Sequence, residues 1–557
     1  MKTRTCQAAL AGLLVAVAAG IDPALRAQQA APDLILTNGT IITVDDRFSI
    51  AQAVAVRGDR IVAVGTTDDI VRLARPNTRR IDLERKAVVP GLIDNHAHIM
   101  EEGRIWQQEL RLDGVDSRKT VLDMVRAKAR TLAPGAWVYT LGGWSIDQFA
   151  DDRKHFTREE LDRVAPNNPV LLQVTRLHTY VNSRAIEAAG LDTMTEPWIG
   201  RDASGRPTGV IEADGIARVA SAVPEPPKEI YEASSVALMA DMNRAGLTTV
   251  GGTCPPADIP SFQHWARQGR LTVRFFCFMS VSAGNTPEQV EQALPLIAQL
   301  KPFQGDVWLD FTAFGESVFQ PLHDNWLSPT TSPTPAQLAL WRRLAAEIAK
   351  AGVPLHVHAQ LENTISAFLD QIEAINKEYP IRNLRWTLAH IDQVTPSHLE
   401  RMKNLGMYAA VQGRPAVLGQ IWNRAHGNRS LDMPPLKMIQ DSGIQWGLGS
   451  DTFEVNQYRP FTTLWWAVTG RMVGGAVVNR QPISREDALI AHTRKNAYMV
   501  FQENNLGSIQ PGKLADLVVL DRDYLTIPAD QIKDIKPVLT MVGGKIVYDA
   551  AAPAATR

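Results

Sequence analysis

The stretch GLIDNHAHIM, residues 91–100, sets two histidines one residue apart at the end of an apolar run. Side chains alternate along an extended chain, so His96 and His98 leave it on the same side. Two imidazoles placed this way form a pincer for a divalent metal, each offering one nitrogen. Taken alone, the pair is as consistent with an exposed loop as with a site. The decision rests on whether other ligand-type residues occupy equivalent positions.

The run AVVPGLID (87–94) opens a series of short apolar segments separated by helix-length stretches: GLTTVGGT (246–253), LTVRFFCFM (271–279), VWLDFTAFGE (307–316), VPLHVHA (353–359), LRWTLAH (384–390), MYAAVQG (407–413) and IQWGLGSD (444–451). Apolar strands alternating with helices predict a parallel sheet covered on both faces. Eight such units predict a TIM (β/α)8 barrel rather than an open Rossmann sheet, and barrels of this class build their active sites at the C-terminal ends of the strands. His358, His390 and Asp451 stand at three of those ends, in a chain with only 12 histidines. The address of His96 and His98 is therefore shared, and the five residues are read together as a metal site.

Both chain ends read differently from the middle. DLILTNGTIITVDD (33–46) and AQAVAVRGDRIVAVG (51–65) alternate apolar and polar residues around hairpin turns, and ADLVVLDRDY (515–524) and VLTMVGGKIVYD (538–549) repeat the pattern. Residues 31–86 and 505–549 are expected to share one small β-sandwich domain, with the barrel spanning 87–104 and 236–504. The segment between the first two barrel runs is too long for a bare loop. It holds strand-like WVYTLGGW (137–144) and PVLLQVTRLHTYVN (169–182) and a helix start at Thr157-x-x-Glu160, so 105–235 reads as a subdomain inserted after barrel strand 1. A second helix start is Ser484-x-x-Asp487. GSIQPGK (507–513) resembles a phosphate loop, but Leu514 replaces the required Ser or Thr and a strand follows. Ser317 and Ser450 lack the nucleophile-elbow pattern of a serine hydrolase.

Lys and Arg number 58 against 59 Asp and Glu, a net charge of -1, which argues against nucleic acid or an anionic membrane as partner. Hydrophobic content of 45% and charged content of 21% are those of a globular enzyme. At the N-terminus Lys2 and Arg4 precede the apolar run AALAGLLVAVAAG (8–20), followed by Ala24, Ala27 and Ala30. This is a secretory signal pattern over 1–30, the alternative being an uncleaved anchor, and it predicts a secreted or periplasmic protein with no membrane contact after cleavage. Cys254 and Cys277 would remain; as both lie in or just after apolar strand-like runs, two buried free thiols are expected ahead of a disulfide.

PGLIDNHAHI, the strand-end histidines of LHVHA and WTLAH, and LGSD resemble the amidohydrolase superfamily. The stretches GWSIDQFADDRKHFTREELDRVAPNNPVLL, LHTYVNSRAIEAAG, GSIQPGKLADLVVLD and TMVGGKIVYD resemble amidohydrolase family 3, its YtcJ-like branch, over essentially the whole chain after the signal. The resemblance implies a distorted barrel with a split β-domain and an insert. It also implies one or two divalent ions, zinc first, with His96, His98 and Asp451 on one ion and His358 and His390 on a second. The bridging ligand from the fourth strand is often a carboxylated lysine, sometimes a glutamate. VWLDFTAFGES has no lysine; Glu316 at the strand end is expected to bridge, with Asp310, deeper in the barrel, as the alternative.

The resemblance further implies that Asp451 takes a proton from a metal-activated water and returns it to a leaving amine, beyond serving as ligand. His178 corresponds to the family's Gly-His position, here Leu-His, and is a candidate to contact the substrate carbonyl or leaving group, unless it is a core residue beside Tyr180. His356, one step deeper than His358, is expected behind the ligands or in the core, and Arg414, Trp144 and Trp422 are candidates for the pocket lining. The expected activity is hydrolysis of a C–N bond in a small amide, cyclic amide, carbamate or urea-like molecule. The alternatives are ester, lactone or organophosphate hydrolysis on the same site, or a binding or regulatory protein that keeps the fold without turnover. A homo-oligomer is left open.

Overall fold

The computed structural model of the protein describes residues 31–279, 286–325 and 332–552. The signal pattern of residues 1–30 lies outside the described residues. The eight apolar runs form one parallel sheet: β1 (Leu92–Ala97), β2 (Leu247–Thr253), β3 (Arg274–Met279), β4 (Leu309–Glu316), β5 (Leu355–Ala359), β6 (Thr387–His390), β7 (Tyr408–Gln412) and β8 (Gln445–Gly449). Each pairs with the next in chain order from β1 to β8. Helices between them, such as Pro335–Lys350 with buried Trp341, Leu344 and Ile348, cover the outside and explain why nearly every strand residue is buried.

The barrel closes between β8 and β1 without a regular ladder. At the mouth, the amide of Asp451 donates to the carbonyl of His96 (2.8 Å) and that of His98 to the carbonyl of Thr452 (2.9 Å). Deeper in the seam the amide of Asn496 takes over: its Nδ2 donates to the carbonyls of Ile93 and Leu448, both at 2.6 Å, while its Oδ1 accepts from the Tyr408 hydroxyl at 3.0 Å. One side chain thus satisfies two strand carbonyls that a missing neighbour would leave buried and unpaired. Gly447 makes room for it, since a Cβ there would stand 1.9 Å from Asn496 Oδ1 and 2.2 Å from the Tyr408 hydroxyl.

The run 87–94 proves to serve two sheets. Residues Ala87–Pro90 belong to a six-stranded sheet of the terminal domain, where Val89 pairs with Val518 and Pro90 with Leu517, and the barrel strand begins only at Leu92. Pro90 accounts for the break: it cannot extend a ladder on its amide side. Gly91 fits at the crossing because a Cβ would meet the Thr248 side chain at 2.2 Å. The expected barrel start at residue 87 is therefore corrected to 92. The six-stranded sheet also holds Leu517–Leu520, Pro537–Val542 and Lys545–Asp549 from the far end of the chain. It packs on a four-stranded sheet from residues 34–82, with Leu36, Val54, Val88, Leu517, Val519 and Met541 in a shared core, so both chain ends build one β-sandwich.

Between β1 and β2 the inserted segment forms a five-stranded sheet containing Val138–Thr140, Val170–Val174, His178–Val181 and Pro207–Glu212. Thr157 and Glu160 make the expected reciprocal capping box, and Ser484 caps its helix through the amide of Asp487. The insert's core of Trp144, Phe149 and Tyr180 merges with Val417, Leu418 and Trp422 of the helix Pro415–His426, which follows β7. This seats the insert over the barrel mouth. The expectation of free thiols is overturned: Cys254 and Cys277 form a disulfide with Cα atoms 5.4 Å apart. The cause is register, invisible in the sequence. Gly252 of β2 pairs with Cys277 of β3, and Cys254 follows two residues later, on the same face by the two-residue period.

Replacing Asn496 by alanine should strand two buried carbonyls and a hydroxyl. At about 1–3 kcal/mol for each unsatisfied group, a clear fall in the thermal midpoint is expected by calorimetry. Tyr408→Phe, which removes one of these bonds, should cost about 1 kcal/mol. Equal midpoints for all three proteins would refute the role of Asn496 in the seam.

Candidate metal centre

Six side chains converge at the barrel mouth because each occupies a strand end or the position just beyond it. Glu316, the last residue of β4, is central. One of its oxygens lies 3.2 Å from His96 Nε2, 3.4 Å from His390 Nε2 and 3.6 Å from His358 Nδ1, and the other lies 3.5 Å from His98 Nε2. Asp451, just past β8, brings Oδ1 to 3.5 Å from His96 Nε2 and 3.6 Å from His98 Nε2. Two overlapping three-residue groups, His96/Glu316/His390 and His96/His98/Asp451, have ligand atoms within 4.8 Å of one another. Gly315 permits the approach of β4, as a Cβ there would stand 1.8 Å from the carbonyl of His356. His390 and Asp451 take φ values of 76° and 64°, a left-handed conformation that costs a non-glycine residue about 1–2 kcal/mol and that here turns both side chains inward.

Each histidine uses its remaining ring nitrogen to fix its orientation. Nδ1 of His390 lies 2.8 Å from Gln412 Oε1, and Nε2 of His358 lies 2.8 Å from the carbonyl of Asp324. Both oxygens can only accept, so these nitrogens carry hydrogens, and in the neutral imidazole the opposite nitrogen would be free to offer a lone pair to a cation. Nδ1 of His98 contacts the Thr253 hydroxyl at 2.8 Å, and Nδ1 of His96 contacts His356 Nε2 at 2.8 Å. His356 stacks on Phe278 and stands behind the cluster rather than within it.

The donor set fits a divalent cation on two further grounds. Nε2 of His96 and Nδ1 of His358 are buried with no hydrogen-bond partner, a costly state that a coordinated ion relieves. The field also favours positive charge. Burial alone would raise the Glu316 carboxyl, but the imidazoles of His96, His358 and His390 outweigh it and hold the group well below the usual carboxylate range. Burial likewise opposes a charge on His358, yet Asp324 and Glu316 raise it to about 10.

Residues 79–548 match the amidohydrolase family. The chain belongs to the amidohydrolase family. With it the protein is a metal-dependent hydrolase acting on carbon–nitrogen bonds. It is 27% identical to the N-substituted formamide deformylase of Arthrobacter pascens, over 93% of this chain and 98% of that protein. It is 24% identical to YtcJ of Bacillus subtilis, over 88% and 97%. In fold it resembles a crystal structure of a metal-dependent hydrolase from Pyrococcus furiosus, with a TM-score of 0.62 and 22% identity, covering 88% of this chain and all of the other.

The amidohydrolase centre opens into a cavity of about 620 Å³. His98, Glu316, His358, His390, Asp451 and Arg414 line it, together with Arg176, Leu177, His323 and Glu454. Arg414 is where the sequence placed it, although 1% exposed. Trp144 is not: fully buried, it packs against Phe149 and Phe156 in the insert's core. Trp422 is likewise buried, 5.4 Å from the Arg414 guanidinium. His178 is absent from the described lining. Its Nε2 bonds the Tyr180 hydroxyl at 2.9 Å, and burial followed by the neighbouring His155 lowers it to about 4. The reason is local: Thr175, at φ 46°, turns the chain so that Arg176 and Leu177 face the cavity, and Arg176 pairs with Glu454 across it.

Sequence reasoning missed Thr253, Asp324, Asp392 and Gln412. Gln412 was within reach, because it ends β7 just as His390 ends β6. Asp310, the alternative bridge, accepts from the amide of Gly305 near the opposite end of β4.

Glu316→Gln should reduce bound metal at least tenfold by elemental analysis after dialysis, because it removes the charge that all four histidines face. Asp310→Asn should leave metal content unchanged. The reverse ranking would exclude Glu316 as the bridge.

Proposed function

We propose that this protein hydrolyses the C–N bond of a small amide, cyclic amide, carbamate or urea-like molecule, with N-substituted formamides the first class to test. The observation that carries the reading is Glu316 within 3.2–3.6 Å of a ring nitrogen on all four histidines, with Asp451 beside three of them in the lining of the cavity. The similarity to the formamide deformylase supports the choice of first substrates. His96, His98, Glu316, His358, His390 and Asp451 would hold one or two divalent ions, zinc first. When bound, such an ion lowers the pKa of a water toward neutrality and polarises a carbonyl.

The chain's own part centres on Asp451. Burial raises its carboxyl, but His390, His98, His96 and Arg414 outweigh that and keep it ionised, able to accept a proton. As the water oxygen bonds to the carbonyl carbon, a proton passes to Asp451. As the C–N bond breaks, that proton passes to the departing nitrogen, so the carboxylate ends as it began. Arg176 and Leu177 from the insert, with Glu454, border the space left for the rest of the substrate. The N-terminal pattern and the Cys254–Cys277 disulfide both support export to an oxidising compartment.

Asp451→Asn should retain at least half of the bound metal yet lose about 10²–10⁴-fold in kcat, assayed on a panel of N-substituted formamides, cyclic amides and carbamates. Turnover equal to wild type would remove Asp451 from the proton path.

A further inference from the structure

β6 and β7 run side by side and project matched residues from their ends. His390 and Gln412 form one rung, joined Nδ1 to Oε1 at 2.8 Å. Two residues further along each chain, Asp392 and Arg414 form a second, with Arg414 Nη2 donating to Asp392 Oδ2 at 2.5 Å. The side chains of this second pair are 1% and 2% exposed. The other guanidinium nitrogen, Nη1, lies 3.5 Å from Asp451 Oδ2. Trp422 lies 5.4 Å from the guanidinium carbon.

We infer that Arg414 is a positioning residue for Asp451, held in place by Asp392, and not an anchor for substrate. The two oxygens of Asp451 are divided between tasks. Oδ1 faces His96 Nε2 and His98 Nε2, at 3.5 and 3.6 Å. Oδ2 faces Arg414 Nη1 at 3.5 Å and His390 Nδ1 at 3.7 Å, but the hydrogen of that histidine nitrogen is committed to Gln412. Among the described residues around Oδ2, Arg414 is the one with a donor to offer. A guanidinium spanning two carboxylates fixes the rotation of both, which a single ammonium cannot do. Asp392 thus sets Arg414, and Arg414 sets which oxygen of Asp451 turns toward the histidines. One terminal nitrogen is bound to a carboxylate, the other faces a second, and Nε is buried without a hydrogen-bond partner among the described residues, in a side chain only 2% exposed.

This inference rests on the proposed role of Asp451, and the test separates the two. The full chain is loaded with cobalt(II), whose visible bands report the orientation of a coordinating carboxylate without any substrate. Arg414→Met and Asp392→Asn should both shift those bands, and Arg414→Lys should lie between Arg414→Met and wild type. On p-nitroformanilide, Arg414→Met should lower kcat about 10²-fold with KM within about threefold. Asp392→Asn should lower kcat about tenfold, and Arg414→Lys should recover part of the loss. Asp392→Asn is nearly isosteric and supplies the deciding comparison if Arg414→Met fails to fold. Unchanged cobalt bands, or a raised KM at constant kcat, would overturn the inference. Asp451→Asn bands and turnover identical to wild type would instead overturn the role of Asp451 itself.

Discussion

The negative charge of Glu316, enclosed by four imidazoles, is the constraint around which the barrel mouth is organised. A buried carboxylate is unfavourable unless its surroundings supply compensating charge. Here the compensation comes from β1, β5 and β6 at once, so the ends of these strands must meet on one point. The left-handed turns at His390 and Asp451 and the glycine at 315 follow from that demand. Behind the first ring stands a second, formed by Thr253, Asp324, His356 and Gln412, which gives each imidazole a single orientation.

The seam between β1 and β8 shows how the barrel tolerates such a demand. Regular pairing there would hold the two strands in a fixed ladder. The chain instead bonds Asp451 to His96 by backbone at the top and inserts one asparagine amide lower down. The site-bearing ends therefore meet across a junction that side chains have tailored. The disulfide between Cys254 and Cys277 secures the neighbouring strand ends, one residue from the threonine that orients His98.

Much of this was legible from residue order. Apolar runs at barrel spacing predicted all eight strands, and the strand-end rule located His96, His98, Glu316, His358, His390 and Asp451, because period and position along a strand are local properties. What escaped depended on packing or register. The side-chain direction of His178 turns on the backbone at Thr175, and Trp144 is buried by partners from a distant helix. The disulfide needed the β2–β3 register, and the double duty of residues 87–97 needed the sheet order. The loop residue Asp324 carries no periodic signal at all.

The continuity of Ala87–Pro90 with β1 reaches beyond geometry to the order of synthesis. The strand leading directly into His96 and His98 pairs with Leu517–Leu520, made more than four hundred residues later. While the chain is still emerging, the base of this strand lacks its neighbour, and β8 with Asp451 also arrives late. The histidine pincer can exist early only as separate ligands on a loosely held segment. Assembly of the complete centre therefore waits for β8 and for the Leu517–Leu520 strand that steadies the base of β1.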